Sequence, residues 1–324
     1  MMMRSLAAFV LVCAVSGGAL AEDVPHDKLV DSLNGVFGKH PMTRASHAKG
    51  VCIKGSFTPS SDAPSLTKAP FLAAPVPVLG RFSFGGGNPK ASDRQKSPRG
   101  LALRFDPDGR SPTDFVFLSV PVFFARTPEE VAGFLDARFP GPDGKPEPAK
   151  VKAFTDAHPW TARQGAWVAA RPVPASYAGL AYYSIHAFQA TAAGGKTTAV
   201  KFKFEPIAGE LGLSEDEAKA RPEGFFTADL DERFKTGTVD FDLVAIIGTA
   251  TDPTGDVTVE WPEAGREKVN LGRLSLSGRE DDAKCDATTF DPMNLAEGIA
   301  GFPGDQILPA RSGAYAVSLS RRLE

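Results

Sequence analysis

Three side chains near the end of the chain could do chemistry together. Arg311, Tyr315 and Arg322 stand four and seven residues apart, and on a helix turning about 100° per residue they fall within about 40° of one azimuth. A phenol held beside a guanidinium is biased toward phenolate, because the adjacent positive charge favours the ionised form. A phenolate is an iron ligand. Arg322 would lie about 10 Å beyond Tyr315 on the same face, placed to meet an anionic group at the edge of a large cofactor. The spacing suits equally a surface helix with solvated arginines and a half-buried tyrosine. Arg321, about 80 to 100° off that face, is expected in solvent. A second cluster puts Arg44, His47 and Lys49 within six residues. Its histidine suits a hydrogen-bonded structural role or a general base.

These side chains need elements to hold them. A helix is predicted over residues 27–39, with Leu29, Val30, Leu33, Val36 and Phe37 on one face. Alternation at Val51, Ile53, Gly55 and Phe57 marks the strand after His47, and residues 58–80, rich in Pro, Ser and Ala, read as irregular. Gly85, Gly86 and Gly87 lack the lysine and the spacing of a nucleotide-binding loop, which leaves a tight turn or a close backbone approach. Residues 101–105 alternate, and 115–124 form an apolar run that Pro121 should break. Thr127 followed by Pro128, Glu129 and Glu130 opens a helix whose buried face is Val131, Phe134, Leu135 and Phe139.

Further on, 184–191 and 198–204 form a hairpin, and 211–220 (capped by Ser214 with Glu217) and 228–234 are helical. Strands are expected at 241–247, 257–261 and 269–276. At least seven strands with flanking helices predict an α+β chain whose antiparallel sheet closes into a barrel, followed by the helix of Tyr315. Gly313 costs that helix about 1 kcal/mol against alanine, so a tertiary contact must hold it.

Arg4, an apolar run over 6–15 and the ending Ala19, Leu20, Ala21 read as a cleaved secretory signal peptide over 1–21, too short to span a bilayer. The expected mature chain, 22–324, is one domain without stable membrane association, exported to the periplasm. Losing Arg4 takes the formal charge from -3 to -4, which gives no basic surplus for nucleic acid. Cys52 and Cys285 remain, not in a metal-binding spacing, and a single disulfide is one option in an oxidising compartment.

Taken in order, these pieces resemble the haem catalase superfamily, and within it the short periplasmic catalase-like peroxidases. The resemblance spans about residues 40 to 322. It rests on Arg44 with His47, Ala48, Lys49 and Gly50, then on Arg81, Phe82 and Ser83, on Pro98, Arg99 and Gly100, and on Pro121, Val122, Phe123 and Phe124. Asp252, Pro253 and Thr254, Trp261 and Pro262, residues 271–274, and Phe290, Asp291 and Pro292 follow before Arg311 and Tyr315. Each motif is weak alone, and the ordered series is specific.

The resemblance implies haem b, with Tyr315 as the iron ligand and Arg311 bonded to its phenolate. It makes Arg44, Arg81 and Arg322 propionate partners, His47 the catalytic base, Ser83 the residue that orients it, and Phe124 and Phe134 neighbours of the ring. Lys49, Arg99 and His186 are expected to be structural. The chain departs from the family at Leu118, where full-length catalases carry an asparagine, and at Ser46, where they carry a valine. A leucine cannot hydrogen-bond peroxide. The implied activity is a haem peroxidase that reduces hydrogen peroxide, or an organic hydroperoxide, with a small organic electron donor and has weak catalase turnover. A hydroperoxide-rearranging enzyme of the allene oxide synthase type and a non-enzymatic exported haem-binding protein are the alternatives, and oligomeric state is left open.

Overall fold

The computed structural model describes residues 24–323, so the signal-peptide reading of 1–21 lies outside the described residues. The chain runs from α1 (His26–Phe37) to β1 (Gly50–Pro59), a one-turn α2 (Ala63–Leu66), β2 (Val76–Phe84), β3 (Arg99–Phe105) and β4 (Thr113–Leu118). Helices α3 (Pro128–Asp136), α4 (Pro148–Ala157) and α5 (Arg163–Ala169) follow. Next come β5 (Val173–Pro174), β6 (Tyr182–Tyr183), β7 (Phe188–Thr191), β8 (Thr197–Pro206), β9 (Gly212–Leu213), α6 (Glu215–Ala220) and α7 (Phe225–Thr236). The last elements are β10 (Val239–Ile247), β11 (Lys268–Arg279), α8 (Asp282–Ala287), β12 (Ile299–Gly301) and α9 (Ile307–Leu323).

The sheet order β10-β11-β1-β2-β3-β4-β6-β8 returns to β10, closing an eight-stranded antiparallel barrel, while β7 and β12 extend it beside β8. Closure pairs β8 with β10, and β12 remains as the edge of the extension. None of the described helices is long and apolar enough to cross a membrane.

Strand alternation divides each strand between two tasks. On β2, Val78 and Phe82 point into the barrel and are fully buried, whereas Arg81 and Ser83 face outward under other elements. Phe105, Phe115, Phe117, Phe202 and Phe204 fill the interior with stacked and edge-on rings 4.5 to 6.4 Å apart. Each such ring contributes about 1.5 to 3 kcal/mol by burial, and its edge-on pairs somewhat more. The two methionines among the described residues, Met42 and Met293, are 77% and 45% exposed.

Several local expectations are corrected. Residues 76–80 already belong to β2, because Pro77 occupies a position that the ladder tolerates. Residues 257–261 form no strand: their carbonyls are taken by loop and side-chain donors, Phe123 N to Val257 O, Arg163 to Thr258 O and Lys201 Nζ to Val259 O. Phe139 lies beyond the end of α3 and is 39% exposed, whereas Leu135 is buried as expected. Only the first part of the apolar run is strand: β4 ends at Leu118, three residues before Pro121.

Two contacts explain the placing of α9. A Cβ on Gly313 would come within 2.3 to 2.4 Å of the His26 ring, so only glycine lets α1 lie against α9 here. Arg321, expected in solvent, bonds Asp31 of α1 at 2.5 Å, because α1 occupies the flank that the sequence left open.

Candidate active site

A cavity of about 390 Å³ lies against the outer face of the barrel. Its lining includes Leu29, Val30, Leu33 and Phe37 of α1, Val131 and Phe134 of α3, and the face of α9 that carries Arg311, Tyr315 and Arg322. Arg44, His47, Arg81, Ser83 and Phe124 line it too, so every residue singled out for the site from sequence meets in one place. Phe124 packs on Phe134 with ring centres 4.5 Å apart.

On the α9 side, Arg311 donates to Tyr315 Oη from both Nε (3.2 Å) and Nη2 (2.7 Å). Its Nη1 reaches His186 Nε2 at 2.7 Å, and His186 Nδ1 lies 2.6 Å from Asp305 Oδ2. Burial drives the His186 pKa down to about 4, against the pull of Asp305, so the ring is neutral at pH 7. A guanidinium only donates, so Nε2 is the acceptor and Nδ1 carries the proton that it donates to Asp305. Asp305 Oδ1 meanwhile accepts from Ile307 N and Leu308 N at the start of α9. One carboxylate thus caps the helix and anchors the line Asp305, His186, Arg311, Tyr315. The sequence marks His186 as structural and gives no sign of Asp305, since the partners stand 119 and 125 residues apart. Lys49 and Arg99, also kept structural, bond to Asp93 Oδ1 and to the carbonyls of Asp93, Gln95 and Ser97 and are not among the lining residues.

On the other side, His47 has a left-handed backbone (φ 55°), a conformation uncommon outside glycine and asparagine. Arg81 holds it there, donating from Nη1 to His47 O at 2.8 Å and from Nη2 to Ala48 O at 2.9 Å. The His47 Nδ1 and Ser83 Oγ atoms are 2.9 Å apart. Ser83, Gly100 and Leu118 share one rung of the sheet. A Cβ at Gly100 would lie 2.5 Å from Ser83 Oγ and 2.9 Å from His47 Nδ1, so the bare glycine makes room for that pair. Leu118 lines the cavity. The amide that does line it, Gln164, spends its Nε2 on Val122 O. The glycine run is a close approach, as expected: a Cβ on Gly87 would stand 2.4 Å from Ala45 O.

Desolvation, then Arg81, Arg311 and Arg44, push the His47 pKa down to about 3. Unfolded histidine titrates at its ordinary 6.5. The unfolded chain therefore takes protons that native His47 and His186 refuse, so their stabilisation is full above pH 6.5 and is lost as pH falls toward 4 and then 3. Urea midpoints should fall between pH 7 and pH 4.5, and less steeply in His186→Gln. Parallel midpoint curves for wild type and variant would refute the assignment.

Arg44, Arg81 and Arg322 crowd one edge of the cavity with a single carboxylate, Asp286, bonded among them (Arg44 Nη1 to Asp286 Oδ1, 2.6 Å). Burial, with Arg44 as the next cause, lowers Arg81 to about 9 and Arg322 to about 10. That edge has uncompensated positive charge and favours an anion. A phenol oxygen taking two guanidinium donors, an apolar middle and a cationic edge fit the donor set that a haem with its two carboxylates requires.

A closed antiparallel barrel with a tyrosine–arginine pair and a histidine–serine pair in one outer cavity is the arrangement that the sequence resemblance implies. The chain matches the family model described as "Catalase" over residues 16–324. It is 35% identical to a catalase-related peroxidase of Synechococcus elongatus, covering 99% of this chain and 94% of the relative. To a catalase-related peroxidase of Mycolicibacterium paratuberculosis it is 34% identical, covering 91% and 94%. The fold is shared with catalase A of Saccharomyces cerevisiae (TM-score 0.79, 22% identity, 97% of this chain and 68% of that one). A bacterial catalase gives a TM-score of 0.78 at 23% identity, covering 96% and 63%. The chain belongs to the catalase family, whose members bind haem. It is an oxidoreductase of peroxidase or catalase type, and hydrogen peroxide is the substrate that this membership implies.

Proposed function

We propose that the protein is an exported, periplasmic haem b peroxidase that reduces hydrogen peroxide, and accepts organic hydroperoxides, using electrons from a small organic donor, with weak catalase turnover. The observation that carries this reading is the rung Ser83, Gly100, Leu118 beside His47: the proton-handling pair is intact, and an apolar side chain stands where the resemblance calls for an amide. Bound haem supplies the iron and the redox chemistry that splits the O–O bond.

In this reading Tyr315 Oη ligates the iron, and the two Arg311 donors keep that oxygen an acceptor. Arg44, Arg81 and Arg322 meet the propionates, and Phe124 and Phe134 pack against the ring. Neutral His47, donating from Nδ1 to Ser83 Oγ, keeps Nε2 as the free base. Nε2 takes a proton from one peroxide oxygen and returns it to the other, which leaves as water, and two electrons from the donor with two protons carry the first oxygen to a second water. Because the His47 pKa is about 3, kcat/KM should stay level from pH 7 down to about 4.

Catalase turnover needs a second peroxide held as a reductant, and Leu118 has no donor to hold it. Leu118→Asn should raise oxygen evolution relative to phenolic-donor oxidation by about tenfold, the worth of about one hydrogen bond. Parallel oxygen-electrode and donor-oxidation assays on haem-reconstituted protein measure the ratio. A ratio unchanged from wild type would refute the role given to Leu118, and rapid disproportionation without donor oxidation in the wild type would refute the peroxidase reading.

A further inference from the structure

A disulfide joins Cys52 of β1 to Cys285 of α8 across 233 residues, and both cysteines are buried. Its surroundings point to the cofactor edge. Within the β1–β2 ladder, Cys52 pairs directly with Arg81. At the other end of the link, Arg44 donates to Cys285 O (2.5 Å), Asp286 Oδ1 (2.6 Å) and Thr288 O (3.2 Å). Arg322 donates to Asp286 O (3.0 Å) and Thr288 O (3.3 Å). Every side-chain hydrogen bond that Arg44 and Arg322 make among the described residues therefore ends on residues 285–288, the segment that the disulfide ties down.

The start of α8 has its own tethers to β1: Cys52 N donates to Asp282 Oδ1 at 2.7 Å and Glu280 N to Cys52 O at 3.1 Å. The far end, which carries the acceptors for both arginines, has the disulfide as its covalent anchor to the barrel.

We propose that the Cys52–Cys285 disulfide is a positioning element of the anion-binding edge: it fixes residues 285–288 on β1, so that Arg44 and Arg322 stand preformed beside Arg81 to receive the two carboxylates of haem. The proposal rests on the haem reading above. Without the bond the last turn of α8 swings from the sheet, the two guanidinium groups lose their acceptors, and the cradle must be assembled at the moment of binding. Preorganisation of this kind acts chiefly on how long a ligand stays.

The test measures haem transfer to excess apomyoglobin from wild type, from Cys52→Ala/Cys285→Ala, and from a barrel-core variant such as Phe105→Leu, with thermal midpoints recorded for each. Haem loss from the double variant should be about ten- to a hundredfold faster, and Arg44→Ala should cost less in that background than in wild type, because the disulfide and Arg44 act on the same contact. The core variant should keep the wild-type rate despite its lower midpoint. If the double variant does not fold, folded wild type reduced with a thiol is measured instead, with hydrogen exchange at 282–288 reporting release of the segment. Wild-type retention after loss of the disulfide, or equal acceleration in the core variant, would overturn the proposal while leaving the haem reading intact. A wild-type protein that takes up no haem would overturn both.

Discussion

Replacing His47 with alanine should lower kcat/KM for hydrogen peroxide by roughly 10²- to 10⁴-fold, the usual range for removing a positioned acid–base group, while haem still binds. The separation is expected because His47 makes its side-chain bond to Ser83, whereas the groups assigned to hold the cofactor lie on α9 and at the arginine edge. Arg81 clasps the backbone carbonyl of residue 47 rather than the imidazole, so truncation leaves that clasp in place. Stopped-flow mixing with peroxide measures the rate, and the visible spectrum before mixing measures occupancy. Undiminished turnover would remove His47 from the mechanism, and loss of haem along with turnover would make it a structural residue. Ser83→Ala should fall between the variant and wild type, since it leaves the base present without its orienting partner.

Tyr315→Phe should have the larger effect on binding, weakening haem affinity by at least roughly a hundredfold because the iron loses its protein ligand. The apoprotein should suffer too. Arg311 loses the oxygen that accepts its Nε and Nη2, and stranding such donors costs about 1 to 3 kcal/mol. Titration with haem, followed in the Soret region, and urea unfolding of the empty protein separate the two effects. Tyr315→His should recover binding with an altered visible spectrum, because an imidazole replaces the phenolate. Wild-type affinity in Tyr315→Phe would rule out this residue as a ligand of the iron.

The sequence made the site legible where chemistry and local geometry coincide. Arg311 and Tyr315 stand one helical turn apart, so their contact follows from helix geometry alone. The pairing of His47 with Ser83 came from the resemblance and is matched by a bond of 2.9 Å. What escaped notice depends on tertiary distance. His186 and Asp305 lie on opposite sides of the β8 to β12 region of the chain, and no periodicity links them. Asp286 gave no signal beyond being one acid among many, and Gly100 shows its purpose only when a Cβ is set against two neighbouring side chains.

The barrel was legible through alternation, as in Leu101, Leu103 and Phe105. Residues 257–261 alternate as well, yet form a loop, because nearby donors took the carbonyls that a neighbouring strand would have used. Gly313 was a puzzle on one helix and is resolved by another, through His26.

Met42 and Met293 on the surface, and the two cysteines joined to each other, account for all the sulfur in the described residues. The barrel interior is therefore hydrocarbon and aromatic ring, with no thioether to become a sulfoxide and no thiol to become a sulfenic acid. Among the described residues an oxidant escaping the cavity meets methionine sulfur only at the exposed Met42 and Met293, where added polarity disturbs little packing. The fold is thereby protected against sulfur oxidation by the substrate it handles.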